Sequence, residues 1–329
     1  MALKTALTEK FGLEYPIVSA PMGSVSGGRL AAAVSNGGGL GLVGGGYGDA
    51  DWMREELSLA KTEATRPWGV GLITWHATND AVEFALGYEP HVFMLSFGDP
   101  RPYVPAIKAA GCALLCQVQD VEDARAAQAA GADVIIAQGT EAGGHGARRA
   151  TLPLVPAVVD AVAPTPVLAA GGIVDGRGLA AALMLGAQGV LMGTRFYAAT
   201  ESLGHQRARE RIVAAKGSDT RRTRVFDLVR QYPWPEAYTG RALRNPFMER
   251  WDGREDDLGA ALDGEIPAFE TAVREGDFDT AMIWAGEAVD LISDVAPAAE
   301  LLRRIGVEAE ECLRRGSELL SNARRTSST

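Results

Sequence analysis

The chain has few cysteines and histidines, the residues on which disulfide frameworks and zinc sites depend. It contains three cysteines and four histidines in 329 residues, and no Cys-x-x-Cys pair. The number and spacing of Cys112, Cys116 and Cys312 argue against both a disulfide framework and a zinc site. The His-Glu-x-x-His pattern of zinc proteases is absent as well. We therefore predict no metal site and three reduced, structural cysteines.

Long apolar runs and excess positive charge are also missing. No segment approaches the ~20 apolar residues of a membrane span, and the residues before Phe11 lack the apolar centre of a signal peptide. The formal net charge is −10, which argues against binding to nucleic acid or anionic membranes. We expect a cytoplasmic protein without nucleic-acid or membrane partners, and the sequence leaves a homo-oligomer open.

Two compact motifs of nucleophilic catalysis or nucleotide binding are absent too, and a third is missing from the place where it would be expected. The chain has no Gly-x-Ser-x-Gly elbow and no P-loop. The first apolar run is followed by Pro21-Met22-Gly23-Ser24, which does not fit the Gly-x-Gly-x-x-Gly turn of dinucleotide-binding sheets. An open, doubly wound sheet is therefore disfavoured.

Eight short apolar runs between residues 15 and 200 alternate with alanine-rich helical patterns. Apolar runs without polar alternation are typical of strands buried on both faces of a parallel sheet. The runs are Ile17–Ala20, Leu40–Val43, Val70–Thr74, Val92–Leu95, Ala113–Gln117, Val134–Ala137, Pro166–Ala169 and Gly189–Met192. Eight strand–helix units predict an α/β fold that closes as a (β/α)8 TIM barrel.

The pattern changes after the eighth run. Residues 207–255 are rich in arginine, aromatic residues and proline, and residues 258–275 have the apolar spacing of a helix. We predict that residues 205–283 form an appended helical subdomain that covers the barrel mouth. The barrel itself would then comprise residues 1–204 and 284–329.

Glycines follow the last two predicted strands, as Gly171-Gly172 and as Gly193 before Thr194. Loops after strands seven and eight of such barrels commonly bind phosphate through backbone N–H groups. Glycine permits the close approach of backbone to phosphate, Thr194 adds a hydroxyl, and Arg195 is expected to add charge. The alternative is that these glycines only form turns.

His145 follows the sixth predicted strand within Gly143-Gly144-His145-Gly146. Active sites of these barrels lie at this end of the strands, and an imidazole with a pKa near ~6.5 exchanges protons at neutral pH. The alternative is a loop histidine without a role. Met22 and Gln138 end the first and sixth strands, where they would face a bound ligand.

Four of these segments together resemble the nitronate monooxygenase family, formerly called 2-nitropropane dioxygenases. They are Ala20-Pro21-Met22, Gln138-Gly139-x-Glu141-Ala142-Gly143-Gly144-His145, Ala170-Gly171-Gly172-Ile173 and Met192-Gly193-Thr194-Arg195-Phe196. Flavin-dependent enoyl reductases of fatty acid synthesis carry a similar Glu-Ala-Gly-Gly-His block. The chain departs from several family members at Gln117-Val118-Gln119, where they have a lysine or threonine.

The resemblance implies non-covalently bound FMN and assigns eleven site residues. The phosphate would be bound by Gly171, Gly172, Gly193 and Thr194. The isoalloxazine would lie along Pro21, Met22 and Gly23, and Gly143 and Gly144 would flank it. Gln138 would hydrogen-bond the cofactor, and His145 would be catalytic.

The resemblance also implies a reaction, the oxidation of alkyl nitronates or nitroalkanes by O2 to carbonyl compounds and nitrite. An alternative on the same scaffold is an FMN-dependent NAD(P)H reductase of the enoyl-ACP reductase or quinone reductase type. A third possibility is a phosphate-binding barrel whose flavin site is degenerate, acting as an accessory protein.

Overall fold

The computed structural model of the protein describes residues 3–325, with side chains through residue 319. Eleven strands lie within these residues. They are β1 (Ile17–Ser19), β2 (Gly41–Gly46), β3 (Trp68–Ile73), β4 (Val92–Ser96), β5 (Ala113–Val118), β6 (Val134–Gln138), β7 (Gly144–Gly146), β8 (Val167–Ala170), β9 (Val190–Met192), β10 (Thr220–Thr223) and β11 (Thr239–Leu243).

Fourteen α-helices lie in the same described residues, together with short 3-10 helices at Gly217–Asp219 and Glu287–Leu291. The α-helices are α1 (Ala6–Phe11), α2 (Gly28–Asn36), α3 (Ala50–Glu63), α4 (Asn79–Leu86), α5 (Val104–Ala109), α6 (Val121–Ala129), α7 (Thr151–Val162), α8 (Gly176–Met184), α9 (Thr194–Tyr197), α10 (Gln206–Ala214), α11 (Val225–Val229), α12 (Pro246–Trp251), α13 (Glu255–Glu275) and α14 (Ala298–Arg325).

Eight parallel strands form the central sheet in the order β1-β9-β8-β6-β5-β4-β3-β2. A parallel bridge between Val18 and Leu40 joins the first strand of that order to the start of the last one, so that the sheet closes. Helices follow the strands on the outside. The predicted (β/α)8 barrel is therefore confirmed, and each of the eight predicted runs overlaps one of its strands.

Burial on both faces explains why the strands read as unbroken apolar runs. In β4, Val92 and Met94 belong to the cluster that fills the barrel interior, whereas Phe93 and Leu95 belong to the layer between the strands and the helices. Alternate side chains of a strand point to opposite faces. Because both faces of this sheet bury apolar side chains, polar and apolar residues do not alternate along the strands in the sequence.

Side chains that precede the helices fix where several of them begin. Asp49, Thr78, Asp120 and Asp175 each accept a backbone N–H from the first turn of α3, α4, α6 and α8, respectively. Such caps satisfy donors that a helix leaves without partners at its N-terminus. The caps define the helix starts at the end of the barrel where the loops carry the site.

Residues 205–283, here called the 205–283 segment, contain α10–α13 and also two strands. The strands β10 and β11 pair antiparallel, and β11 also pairs with β7. From the sequence, only helices were predicted for this segment and only a loop at β7. The strands β7, β10 and β11 were missed because they are short and polar. The division into residues 1–204 with 284–329 and the 205–283 segment stays a prediction, and its residues 1, 2 and 326–329 lie outside the described residues.

No helix among the described residues is both long enough and apolar enough to cross a membrane.

Candidate active site

A cavity opens at the carboxyl ends of the barrel strands, where β1, β5, β6, β8 and β9 end. All eleven residues that the sequence singled out line it: Pro21, Met22, Gly23, Gln138, Gly143, Gly144, His145, Gly171, Gly172, Gly193 and Thr194. The structure thus brings together residues that lie up to about 170 positions apart in the chain. Their individual roles remain predictions.

One end of the cavity is built from backbone. Gly171 and Gly172 have φ values of +100° and +72°, a region that side chains make costly. A Cβ at Gly171 would lie 2.9 Å from the Gly139 carbonyl oxygen. These two residues therefore need to be glycine for the loop to take this path, independently of any ligand.

Gly193 has a different reason to be glycine. Its φ is −99°, which any residue can adopt, and a Cβ there would approach no described atom more closely than the Met22 sulfur at 3.6 Å. The protein leaves this space open toward the cavity. Thr194 begins α9, and its hydroxyl accepts the Gly286 N–H at 2.9 Å, which leaves the hydroxyl proton available. A backbone cradle of this kind fits a phosphate.

Glu141 joins the loops on either side of this cradle. Its carboxylate accepts the Thr151 N–H at 3.0 Å and the Thr151 hydroxyl at 2.8 Å. The residue before α7 is Ala150, which has no side chain to cap the helix. Glu141 belongs to the motif that carries the family resemblance, but its role was not expected from the sequence. The signal that could have indicated it is the start of α7, where Ala150 offers no capping side chain and Glu141 is a nearby carboxylate.

His145 lies in β7, where it pairs with Gly240 of β11. Its Nε2 is 2.8 Å from Oδ1 of Asp227 in α11, and its ring stacks on Trp234 with 3.5 Å between centroids and 4° between planes. Only 9% of His145 and 3% of Asp227 are exposed. The 205–283 segment therefore contacts the imidazole both at its edge and on its face.

Burial lowers the pKa of His145 below its ordinary value. The hydrogen bond and the negative charge of Asp227 act in the opposite direction, and the positive charges of Arg230 and Arg222 lower the pKa further. The net direction is downward, which favours the neutral form of the imidazole. A neutral imidazole has one nitrogen that is able to accept a proton.

The side chain of Gln138 holds the backbone of His145 through a hydrogen bond. Its Nε2 donates to the His145 carbonyl oxygen at 3.1 Å, and its Oε1 accepts from Nε2 of Gln117 at 3.1 Å and of Gln119 at 2.9 Å. The three amides end neighbouring strands β5 and β6, and they fix one another's orientation. Gln138 lines the cavity as predicted by the resemblance, and a contact with the cofactor stays a prediction.

An aromatic wall with one cation forms the other end of the cavity. Tyr47 stacks on Tyr232 with 3.8 Å between centroids and accepts a 2.9 Å hydrogen bond from Trp234 Nε1. The Arg230 guanidinium lies 4.8 Å from the Tyr232 ring centre. Among the described residues, no carboxylate lies within ion-pair distance of Arg230. Neither Tyr47 nor Arg230 was expected at the site from the sequence.

Arg195 does not supply the charge that the sequence predicted for the phosphate end. Its Nη1 lies 3.0 Å from Oδ1 of Asp294, only 4% of the residue is exposed, and it is not among the cavity-lining residues. That prediction is wrong. The Arg195 side chain turns away from the cavity because a carboxylate next to α14 binds it.

Comparison with known proteins agrees with this geometry. The family model described as nitronate monooxygenase matches residues 4–84 and 72–308. The chain belongs to the nitronate monooxygenase family. The nitronate monooxygenase of Neurospora crassa is 33% identical over 91% of this chain and 90% of its own length. Membership in this family of flavin-dependent enzymes implies an oxidoreductase that uses a flavin.

Two solved structures resemble this member of the nitronate monooxygenase family over nearly their whole length. FabK from Thermotoga maritima is 33% identical, with a TM-score of 0.87 over 97% of this chain and 100% of that one. The nitroalkane oxidase of Streptomyces ansochromogenes is 29% identical, with a TM-score of 0.80 over 94% of this chain and 99% of that one.

Proposed function

We propose that this chain is an FMN-dependent nitronate monooxygenase that converts alkyl nitronates, and nitroalkanes after removal of a proton, to carbonyl compounds and nitrite with O2. The observation that carries the proposal is a buried imidazole, hydrogen-bonded to a carboxylate, that lines the same cavity as a glycine-built cradle. The similarity to the nitronate monooxygenase of Neurospora crassa supports it, because that enzyme matches nearly the whole chain.

The residues fit FMN as the cofactor. The open space at Gly193, the two left-handed glycines and the Thr194 hydroxyl suit a phosphate that binds backbone N–H groups. The flavin, when bound, supplies the electron transfer between substrate and O2. The residues that would hold it are Pro21, Met22, Gly23, Gln138, Gly143, Gly144, Gly171, Gly172, Gly193 and Thr194.

His145 removes the α-proton from a neutral nitroalkane in this proposal. The ring is held rigidly, since Trp234 stacks on it and Asp227 binds one nitrogen. A fixed base in a dry site needs little reorganisation when it accepts the proton. The product of the transfer is the nitronate anion, and the unpaired charge of Arg230 in the cavity wall favours an anion there.

A second candidate function is the FMN-dependent NAD(P)H reductase of the enoyl-ACP reductase or quinone reductase type. The specific observation in its favour is the similarity to FabK, which has the highest TM-score of the compared structures described above. The barrel scaffold serves both reactions. The two functions differ in the reductant, which is the nitronate in one and a nicotinamide in the other.

The function is tested by the stoichiometry of turnover in air. The purified, FMN-loaded protein is expected to consume O2 when a nitroalkane or its nitronate is added, and to form nitrite and the carbonyl compound in equal amounts. Addition of NADH or NADPH should not change the rate. O2 consumption that requires a nicotinamide and yields no nitrite would support the reductase instead.

The pH dependence follows from the lowered pKa of His145. Since only the unprotonated imidazole accepts a proton, kcat/KM for a neutral nitroalkane should rise with pH and level off, with an apparent pKa below the ~6.5 of a free imidazole. The preformed nitronate needs no proton removal, so its kcat/KM should lack this limb. Rate profiles for both substrates check the prediction. A rise centred above about pH 7.5, one unit above the reference value, would contradict it.

A further inference from the structure

The two nitrogens of His145 have different surroundings. Nε2 is bound by the Asp227 carboxylate at 2.8 Å, whereas Nδ1 has no hydrogen bond to any of the described residues. An ionised carboxylate only accepts hydrogen bonds, so Nε2 must carry the proton. The lone pair of the neutral ring is then on Nδ1, in a residue that lines the cavity.

Asp227 is not needed to hold its own helix in place. Phe226, its neighbour in α11, packs against the rings of Phe247 and Trp284, each with 5.8 Å between centroids. The helix start is fixed by Thr223, whose hydroxyl accepts the Val225 N–H. The contact of Asp227 with His145 is therefore additional to the anchoring of α11.

The second oxygen of the Asp227 carboxylate strengthens this argument. Oδ2 is buried and has no hydrogen-bond partner in the described residues. A buried carboxylate oxygen without a partner costs free energy, and a contact with a purely structural role would be expected to satisfy both oxygens. Among the described residues, the hydrogen bond to His145 is the one that the Asp227 carboxylate makes.

We propose that Asp227 is a positioning residue that holds His145 in the Nε2–H tautomer, so that Nδ1 is the atom that accepts the substrate proton. The inference rests on the proposed function. In the step, the substrate α-carbon–hydrogen bond breaks, its electron pair stays on the substrate as the nitronate, and the proton bonds to Nδ1. The resulting imidazolium keeps its Nε2–H bond to the negative charge of Asp227.

The charged groups around the ring give the proposal a distinctive pH signature. Asp227 favours the imidazolium, and Arg230 and Arg222 disfavour it. The faces of the ring meet Trp234, which is stacked, and Trp284, which is tilted at 5.2 Å between centroids. Removal of the Asp227 charge leaves burial and two cations, so the pKa of His145 falls further.

The tautomer is tested directly by nitrogen NMR on the FMN-loaded wild-type protein with ¹⁵N-labelled histidine. The chain has four histidines, and the signals missing in His145→Gln identify residue 145. Near pH 7 we expect long-range ¹H–¹⁵N correlations to show a proton on Nε2 and none on Nδ1. A proton on Nδ1 would overturn the proposal. The result does not depend on turnover, so it stands even if the protein does not oxidise nitronates.

The role in catalysis is tested with Asp227→Asn, which keeps the shape and removes the charge. We expect kcat/KM for a neutral nitroalkane to fall about 100-fold, with less than about threefold change for the preformed nitronate. The acidic limb of the pH profile should move to lower pH. An equal loss on both substrates, or an unmoved limb, would overturn the positioning role.

A matched control separates positioning from anchoring. Asp252 is a carboxylate of the same segment that accepts the Thr223 hydroxyl at 2.9 Å and pairs with Arg221, and the structure gives it no contact with His145. Asp252→Asn should leave both rates and the pH limb unchanged. If Asp252→Asn reproduces the Asp227→Asn profile, the proposal fails. If Asp227→Asn does not fold, the tautomer of His145 measured by NMR on the wild-type protein still decides whether the proposal holds.

Discussion

His145→Gln is expected to lower kcat/KM for a neutral nitroalkane by about 1000-fold, while turnover of the preformed nitronate falls by less than about tenfold. Glutamine does not accept a proton at neutral pH, but its amide can donate to Asp227 as the imidazole does. Alanine would leave a buried carboxylate unpaired, which typically costs about 3–5 kcal/mol of stability. The comparison of the two substrates measures proton removal apart from all other steps.

His91 offers a matched control for this prediction. It is exposed and precedes β4, at the opposite end of the barrel from the cavity. His91→Gln should leave both rates unchanged. If His145→Gln slows the nitroalkane and the nitronate equally, His145 is not the base and acts on a step that both substrates share.

Gly193→Val is expected to weaken FMN binding by about 100-fold or more. The residue has an ordinary φ, and a Cβ meets nothing closer than 3.6 Å, so the variant should fold. Its methyl groups would occupy the space in front of the cradle and prevent close approach of the phosphate. The loss of two hydrogen bonds to a charged group, at about 1.5–3 kcal/mol each, accounts for the factor. Flavin titration and the colour of the purified protein measure it.

Gly259→Val is the control, because Gly259 lies in α13 with no described atom near its Cβ position. It should bind FMN as the wild type does. A Gly193→Val protein that purifies with a full complement of FMN would show that the phosphate lies elsewhere. Equal thermal stability of the two variants would confirm that a loss of binding is local.

The barrel could be predicted from the sequence because its physical signature is local. Each strand is a short apolar run buried on both faces, and β4 illustrates how both sets of side chains find apolar partners. The helix pattern at residues 258–275 likewise anticipated α13. The strands β10 and β11 escaped prediction because they are short and polar, and they pair with β7, whose three residues are Gly144, His145 and Gly146.

The barrel side of the site could be predicted in the most detail. Glycines mark the loops where backbone approaches a ligand, and His145 stood out among them. Asp227 lies 82 residues from His145, and a single aspartate in a short apolar helix carries no local signal of such a contact. Tyr47 and Arg230 come from distant parts of the chain and are brought into contact in the same way. Such pairs arise from tertiary packing and cannot be read from spacing.

The two parts of the chain therefore contribute different chemistry to the site. The barrel loops provide backbone donors and glycine-lined space, whereas the 205–283 segment provides the charge of Asp227, the ring of Trp234 and the cation of Arg230. We expect changes in cofactor binding to arise from substitutions in the loops, and changes in substrate choice and pH dependence from the segment.

The proposed function requires that a nitronate gives electrons to the bound flavin without help from a nicotinamide. Anaerobic mixing of the FMN-loaded protein with ethyl nitronate alone, and separately with NADH or NADPH alone, tests this requirement through the visible absorption of the flavin. We expect that the nitronate bleaches this absorption and that the nicotinamides leave it unchanged. Bleaching by a nicotinamide together with no response to the nitronate would contradict it.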